Sequence, residues 1–286
     1  MQNRLRLAVQ KSGRLSDDSI QLIKECGLRF DRIESRLKTQ AHNFPIEILH
    51  LRDDDSPGYV EDGVADAGIA GENVVVEKNR SVELVARLGF ARCRLSIALP
   101  KSINYRSVAD LNGLNIATSY PHILSHFLDK HGIKASIHEI SGAVEIAPSI
   151  GLSQAICDIV SSGSTLLSNG LQEVETIFNS EAVLIATPGL AKAKKSILHD
   201  LLFRIQAVLQ ARNFKYILLN VPNEKIPEVS ALLPGMKSPT VTPLAQPGWS
   251  SLHSVVNENQ FWEIIDSLRA AGAEGILVVP IEKMIL

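Results

Sequence analysis

Residues 155–170, AICDIVSSGSTLLSNG, combine residue types suited to holding a phosphate. An apolar run carries Asp158, ends at Val160 and turns through Ser161, Ser162, Gly163, Ser164 and Thr165. If the residues from Leu166 onward form a short helix, the turn before it presents backbone N–H groups and hydroxyl donors to an anion. Asp158 would repel phosphate, but it could accept ribose hydroxyls or face a metal. The same letters also suit an ordinary capped turn between strand and helix. The chain has no G-x-x-x-x-G-K-[ST], so this is not a Walker loop.

Other segments add to this signal. In QKSGRLSDDS (10–19), Lys11 and Arg14 flank a glycine turn at a strand end. Arginine can grip a polyphosphate in a bidentate way and lysine acts as a point charge, although solvated surface cations would look the same. LRDDDSPG (51–58) sets Arg52 beside three carboxylates, a pattern that fits a metal or ribose site and equally a turn before Ser-Pro-Gly. In DAGIAGEN (66–73), Gly68 and Gly71 would let backbone approach a ligand closely. His122 and His126 stand four apart, but no third metal ligand is identifiable and their segment reads as a packing helix. No G-x-S-x-G nucleophile motif occurs. Several anion and ribose contacts without a covalent nucleophile favour transfer chemistry run by positioning and electrostatics.

The elements that must position these residues alternate. LRLAVQ is strand-like, Ser16 opens the helix SDDSIQLIKEC, and Gly27 closes it as a left-handed cap. IEILHL (46–51) and ADAGIAG (65–71) are further strands. After residue 90 come CRLSIALP, NIATSY, the helix PHILSHFLDKHG, KASIHEI and AICDIVSS. Strands alternating with helices imply an α/β architecture with parallel or mixed sheets. The tail differs. KYILLNV, IPEVSALLPG, SPTVTPL, SLHSVVN, NQFWEIIDSLRAAG and GILVVPIEKMIL read as β-α-β-β-α-β, the ferredoxin-like order. Phe261, Ile264, Ile265 and Leu268 form one apolar stripe on its last helix. LHDLLFRIQAVLQARN leads into this module as a connector.

Composition bounds the function classes. The 286 residues suit about two domains. With 45% hydrophobic and 21% charged residues, the chain resembles a soluble globular protein rather than a disordered or fibrous one. Lys and Arg total 29 against 31 Asp and Glu, so no basic excess points to nucleic acid or an anionic membrane. Any anion site must be local. Cys26, Cys93 and Cys157 are widely spaced, which fits a reducing compartment better than a disulfide framework. No run of about 18 apolar residues exists, so no membrane span is expected. The N-terminal MQNRLRLAVQ lacks the apolar core of a signal peptide. These features lead us to expect a cytoplasmic protein.

Taken together, QKSGRLSDDS, LRDDDSPGYVEDGVADAGIAGENV, CRLSIA, IATSYPHIL, GAVEIAPSIGL, ICDIVSSGSTLLSNGL and ILVVPIEKM resemble, in order, the blocks of the ATP phosphoribosyltransferases that begin histidine biosynthesis. The block from Asp158 to Thr165 is the most specific, being similar to that family's phosphoribosyl-pyrophosphate loop. With a C-terminal module present, the chain looks like the long, self-regulating form. The resemblance implies a two-lobed catalytic body of the periplasmic-binding-protein type plus an ACT-like regulatory domain. Lobe I would comprise 1–90 with 179–211, lobe II 91–178, and the regulatory domain 212–286.

The resemblance also implies transfer of the phosphoribosyl group of phosphoribosyl pyrophosphate to N1 of ATP, with Mg2+ and release of pyrophosphate. Ser161, Ser162, Gly163, Ser164 and Thr165 would hold the 5-phosphate, and Asp158 and Glu145 the ribose hydroxyls. Lys11, Arg14 and Arg52 would meet pyrophosphate or nucleotide phosphates, with Lys11 counted among the catalytic groups. Asp66, Gly71 and Tyr120 would lie on the nucleotide side. Histidine, as allosteric inhibitor, would contact Asn220, Thr240 and Gly275, while His253 would be structural. Neither nucleic acid nor membrane would be a partner, and the assembly would be a homo-oligomer, hexamers exchanging with dimers. Two other readings share these features: a non-catalytic solute-binding protein with an added sensor domain, and a different nucleotide-dependent transferase, such as another phosphoribosyltransferase.

Overall fold

The computed structural model describes residues 4–30, 37–233 and 235–286. It divides into two compact units, residues 1–200 and 201–286. In the first unit the order is β1 (Leu5–Gln10), α1 (Arg14–Glu25), β2 (Lys38–Gln40), β3 (Ile46–Leu51), α2 (Ser56–Glu61), β4 (Ala67–Gly71), α3 (Glu72–Lys78) and β5 (Glu83–Arg87). There follow β6 (Cys93–Pro100), β7 (Asn115–Thr118), α4 (Pro121–His131), β8 (Ser136–Glu139), β9 (Ala155–Val160), α5 (Ser164–Ser168), β10 (Leu171–Ser180) and β11 (Ala182–Ala186). Helix α6 (Lys192–Arg212) runs from the first unit into the second.

The first unit holds two sheets. One is ordered β2-β3-β1-β4-β11-β5, the other β10-β6-β9-β7-β8. In the first, β1 runs parallel to β3 and β4, so their carboxyl ends share one edge. In the second, β7 runs parallel to β8 and β9, and their carboxyl ends likewise share an edge. Ligands of α/β sheets sit at such edges. The chain crosses from the first sheet to the second between β5 and β6, and returns between β10 and β11.

Strands covered on both faces are expected to be largely apolar, and these are. Leu5, Leu7, Ala8 and Val9 of β1 are fully buried, and Ala8 packs with Leu49, Val60 and Ile185. The second sheet has a core on each face: Leu95, Ile97 and Ile116 against Ile123, Leu124 and Leu128 of α4, and Ala98, Ile156 and Val160 against Leu166 of α5.

The second unit continues with β12 (Phe214–Pro222), α7 (Ile226–Leu232), β13 (Thr240–Pro243), β14 (Trp249–Asn257), α8 (Glu258–Ala270) and β15 (Glu274–Pro280). Its antiparallel sheet is ordered β13-β14-β12-β15, the ferredoxin-like arrangement. One face of β14 alternates into a core with Ile217, Leu219 and Val221, closed by Phe261 and Leu268 of α8. The fold is therefore the expected class, an α/β two-lobed body with an α+β ferredoxin-like tail.

Some local expectations change. Helix α1 begins at Arg14 rather than Ser16, because Gly13 at φ 94° turns the chain earlier than a serine cap would. Gly27 does close it, at φ 80°, with its N–H donating to the Lys24 carbonyl. Helix α6 starts at Lys192, six residues before the stretch read as a connector. Strands β2, β5, β10 and β11 complete the sheets although the sequence pattern did not mark them.

Candidate active site

The carboxyl edge of the first sheet carries the cations. Lys11 follows β1, and its N–H donates to the Leu51 carbonyl at 2.7 Å, which ties the ends of β1 and β3 together. Arg14 opens α1 and Arg52 follows β3, and all three cations are exposed. The Arg52 carbonyl accepts from Asp55 N–H and the Ser56 hydroxyl, so the acidic stretch after β3 is wound into a turn leading to α2. Gly71 ends β4 at the same edge. A Cβ there would stand 2.5 Å from the Asn73 side-chain oxygen, so a larger residue would displace Asn73.

The carboxyl edge of the second sheet carries the small-residue turn. Ser161, Ser162, Ser164 and Thr165 are exposed, and Gly163 sits at φ 80° as the residue before α5. The first N–H groups of a helix have no intrahelical acceptors. The Ser162 and Ser164 hydroxyls lie 3.0 Å apart, which gathers donors at one place. Asp158, near the end of β9, accepts the Ile159 N–H at 2.8 Å. Burial pushes its carboxyl above the ordinary aspartate range, the Ile159 amide partly offsets this, and the Glu145 carboxylate adds a further push upward. Glu145 lies in a single helical turn, 144–146, that packs on β9 at this edge.

The two edges adjoin. Helix α3 leaves the end of β4 and packs against α4, which leaves the end of β7. Asn73 of α3 donates to the Tyr120 hydroxyl at 3.1 Å. The Glu77 carboxylate of α3 accepts the His122 and Ile123 N–H groups at 2.9 and 3.0 Å, capping α4 from the other lobe. A carboxylate at a helix N-terminus is favourably placed. His122 and His126 accordingly belong to a capped, packed helix. Among the described residues no cluster of three or more His, Cys, Asp or Glu side chains is disposed to hold a metal.

Asp66 requires a correction. It lies just before β4, at the amino edge of the first sheet, opposite Lys11, Arg52 and Gly71. Its carboxylate is buried and occupied: Arg6 N–H donates at 2.8 Å, Lys194 Nζ at 2.7 and 2.8 Å, and the Arg6 guanidinium also pairs with it. Burial acts to raise this carboxyl, but the bonds from Arg6 and Lys194 outweigh it and hold it below the usual range. Asp66 thus ties β1 to helix α6 from the edge opposite the other nucleotide-side candidates. Lys11, Arg14, Arg52 and Gly71 share one edge, and Tyr120, Glu145, Asp158 and 161–165 the other.

The structure adds residues that the sequence reading passed over. Asn73 and Glu77 join the lobes. Arg94 of β6, read only as part of a strand, extends Nη1 to the Ser161 carbonyl at 3.4 Å. Its Nε and Nη2 are held by the Glu173 carboxylate at 2.5 and 2.6 Å. A basic residue inside an otherwise apolar strand was the available signal.

In the second unit Asn220 (β12) and Gly275 (β15) adjoin: Gly275 has φ 58°, and a Cβ on it would lie 3.3 Å from the Asn220 amide nitrogen. Thr240 is on edge strand β13, with β14 between it and β12. His253 bonds the Tyr216 hydroxyl at 2.9 Å and that of Ser251 at 3.2 Å, within the sheet.

Two α/β lobes, whose strand ends carry Lys11, Arg14 and Arg52 on one side and a hydroxyl-lined turn beside Asp158 on the other, are here followed by a ferredoxin-like domain. A sequence profile described as ATP phosphoribosyltransferase matches residues 52–207, and one described as HisG, C-terminal domain, matches 211–283. The chain is 63% identical over 281 residues to the ATP phosphoribosyltransferase of Cytophaga hutchinsonii, covering 98% of each chain. It is 55% identical to that of Phocaeicola vulgatus, covering 99% of this chain and 100% of the relative. A Thermotoga maritima chain, described as an ATP phosphoribosyl transferase (HisG:HisZ) complex, superposes with a TM-score of 0.60 at 30% identity. That match covers 71% of this chain and 98% of the Thermotoga chain. The chain belongs to the ATP phosphoribosyltransferase family, in the long form with a C-terminal domain. It is a transferase, which decides against a non-catalytic solute-binding protein.

Proposed function

We propose that the protein transfers the phosphoribosyl group of phosphoribosyl pyrophosphate to N1 of ATP's adenine, the first step of histidine biosynthesis in the cytoplasm. The observation that carries this is the turn 161–165 beside an acid, Asp158, that is half-buried without a cationic partner on its own strand. Family membership supports the identity of the two substrates. The catalytic lobes would be 1–90 with 179–211 and 91–178, and the substrates would meet where their strand-end edges adjoin.

Ser161, Ser162, Gly163, Ser164 and Thr165 take the 5-phosphate through N–H and hydroxyl donors. Asp158 and Glu145 accept the ribose hydroxyls. Adenine N1 attacks the anomeric carbon as the bond to pyrophosphate breaks, with inversion at that carbon. The ionised Asp158 steadies the oxocarbenium-like charge that develops, which is electrostatic catalysis by a preorganised group. Lys11, Arg14 and Arg52 draw the phosphates of pyrophosphate and ATP to the facing edge, and Gly71 and Tyr120 border the nucleotide. Since N1 is itself the nucleophile, holding it in line is the main task of the lobes. Mg2+ commonly binds through one or two carboxylates plus substrate phosphates. The paired carboxylates Asp158 and Glu145 fit that pattern, and the ion would neutralise charge on the diphosphate.

Residues 212–286 serve as a regulatory domain that binds histidine near Asn220, Thr240 and Gly275, within a homo-oligomer in which hexamers exchange with dimers. The test of the reaction is incubation with ATP, phosphoribosyl pyrophosphate and Mg2+, followed by mass analysis. An N1-phosphoribosyl adduct of ATP and an equal amount of pyrophosphate should form only with both substrates. Pyrophosphate release with phosphoribosyl pyrophosphate alone, or with another base in place of ATP, would overturn the assignment.

A further inference from the structure

The turn proposed to hold a phosphate has no cation of its own. No Lys or Arg occurs between Lys134 and Lys192, whereas that stretch contains Glu145, Asp158, Glu173 and Glu175. A dianionic phosphate beside Asp158 and Glu145 would meet repulsion unless positive charge arrives from elsewhere in the fold. Sheet register delivers it. Arg94 pairs with Val160, the last residue of β9, and Ser96 pairs with Asp158. Arg94, Ser96 and Ala98 alternate onto one face of β6, the face that Ile156, Asp158 and Val160 share on β9. Arg94 thus stands beside the turn on the side where Asp158 lies.

The guanidinium is also aimed. Glu173 takes Nε and Nη2 in a fork, which leaves Nη1 directed at the Ser161 carbonyl. Glu173 is itself fixed, accepting the hydroxyl of Ser96 at 2.8 Å and that of Thr176 at 3.4 Å. Ser96 is buried at 1% exposure, so this support is anchored in the sheet. Arginine suits the task because its planar fork binds the carboxylate with two donors and still has others to offer.

We infer that Arg94, oriented by Glu173, is a positioning residue for the phosphate turn: it holds the Ser161 carbonyl and so sets the turn's geometry. This rests on the reading of 161–165 as the 5-phosphate site. The pair sets the turn's geometry before substrate arrives, so its loss should weaken phosphoribosyl pyrophosphate binding and leave ATP binding alone.

The test compares steady-state kinetics of wild type, Arg94→Ala, Arg94→Lys, Glu173→Gln and Thr165→Ala, with thermal melts to verify folding. Arg94→Ala should raise KM for phosphoribosyl pyrophosphate about tenfold, with KM for ATP changed less than about twofold, the scale of a lost charge-assisted bond. Arg94→Lys should fall between wild type and alanine, because lysine keeps the charge and loses the fork. Glu173→Gln is the discriminating variant, and it carries the test if Arg94→Ala does not fold. A raised KM supports positioning, while an unchanged or lowered KM means that Arg94 acts as a free charge and overturns it. If Thr165→Ala raises this KM and neither Arg94→Ala nor Glu173→Gln does, the positioning role fails and the phosphate site stands. If none of the variants raises it, both fail.

Discussion

Asp66 and Asp158 are acids of the same type, one just before β4 and the other near the end of β9, each at least half-buried, yet their surroundings oppose. At the amino edge of the first sheet, Asp66 receives Arg6 and Lys194, and its carboxyl is held below the usual range. At the carboxyl edge of the second sheet, Asp158 receives one backbone amide and faces Glu145, and its carboxyl is pushed up. A buried charge that is fully partnered holds strands together. One left short of partners carries a cost that a cationic or hydroxylated substrate can relieve. Perturbed acids in ligand-facing positions are accordingly candidates for chemistry.

Removing charge from each acid should separate the two roles. The largest effect is expected for Asp158→Asn, with kcat lower by about two orders of magnitude, the scale for losing one electrostatic stabiliser. Its melting temperature should be unchanged or higher, because the raised carboxyl pKa means that ionised Asp158 opposes folding at neutral pH. A fall in melting temperature with normal turnover would break the comparison. Asp66→Asn should do the opposite, losing about 1.5–3 kcal/mol of stability in denaturant titrations while turnover persists. The wild type should show the corresponding pH dependence. With a lowered folded pKa, Asp66 stabilises the protein above the unfolded value of 3.8, and that contribution should fade as pH falls through the folded value.

Smaller changes sharpen the picture. Thr165→Ala should weaken phosphoribosyl pyrophosphate binding by about 1–3 kcal/mol, read by calorimetric titration, and wild-type affinity would mean that 161–165 is only a capped turn. Glu145→Gln should move the acidic limb of kcat to lower pH, since it removes the like charge acting on Asp158. An unmoved limb would show that Glu145 does not act on Asp158. The smallest effect on uninhibited rate should come from Thr240→Leu, which should blunt histidine inhibition in a dose-response curve. Unchanged inhibition would remove Thr240 from the regulatory site.

The sequence made some of this legible. Strands β1, β3, β6 and β9 stand out because burial on both faces makes LRLAVQ, IEILHL, CRLSIALP and AICDIV near-continuous apolar runs. Strand β10, LQEVETIFNS, did not, since most of its residues are half-exposed and its glutamates point to Arg94 of β6 and to Tyr105 in the loop after it. The partnership of Arg94 with Ser161 spans 67 positions and exists only through antiparallel register. Asp66 and Asp158 look alike as letters. What separates them is strand direction, one lying before its strand and the other near its end.

Asp158, short of partners and raised by burial, should have to ionise for phosphoribosyl transfer. Its most direct test is the pH dependence of kcat/KM for phosphoribosyl pyrophosphate in wild type, Asp66→Asn and Asp158→Asn under identical conditions. Wild type and Asp66→Asn should share an acidic limb lying above the ordinary aspartate range, and Asp158→Asn should lack it. An Asp158→Asn enzyme that keeps the wild-type limb would show that Asp158 is not the group that must ionise.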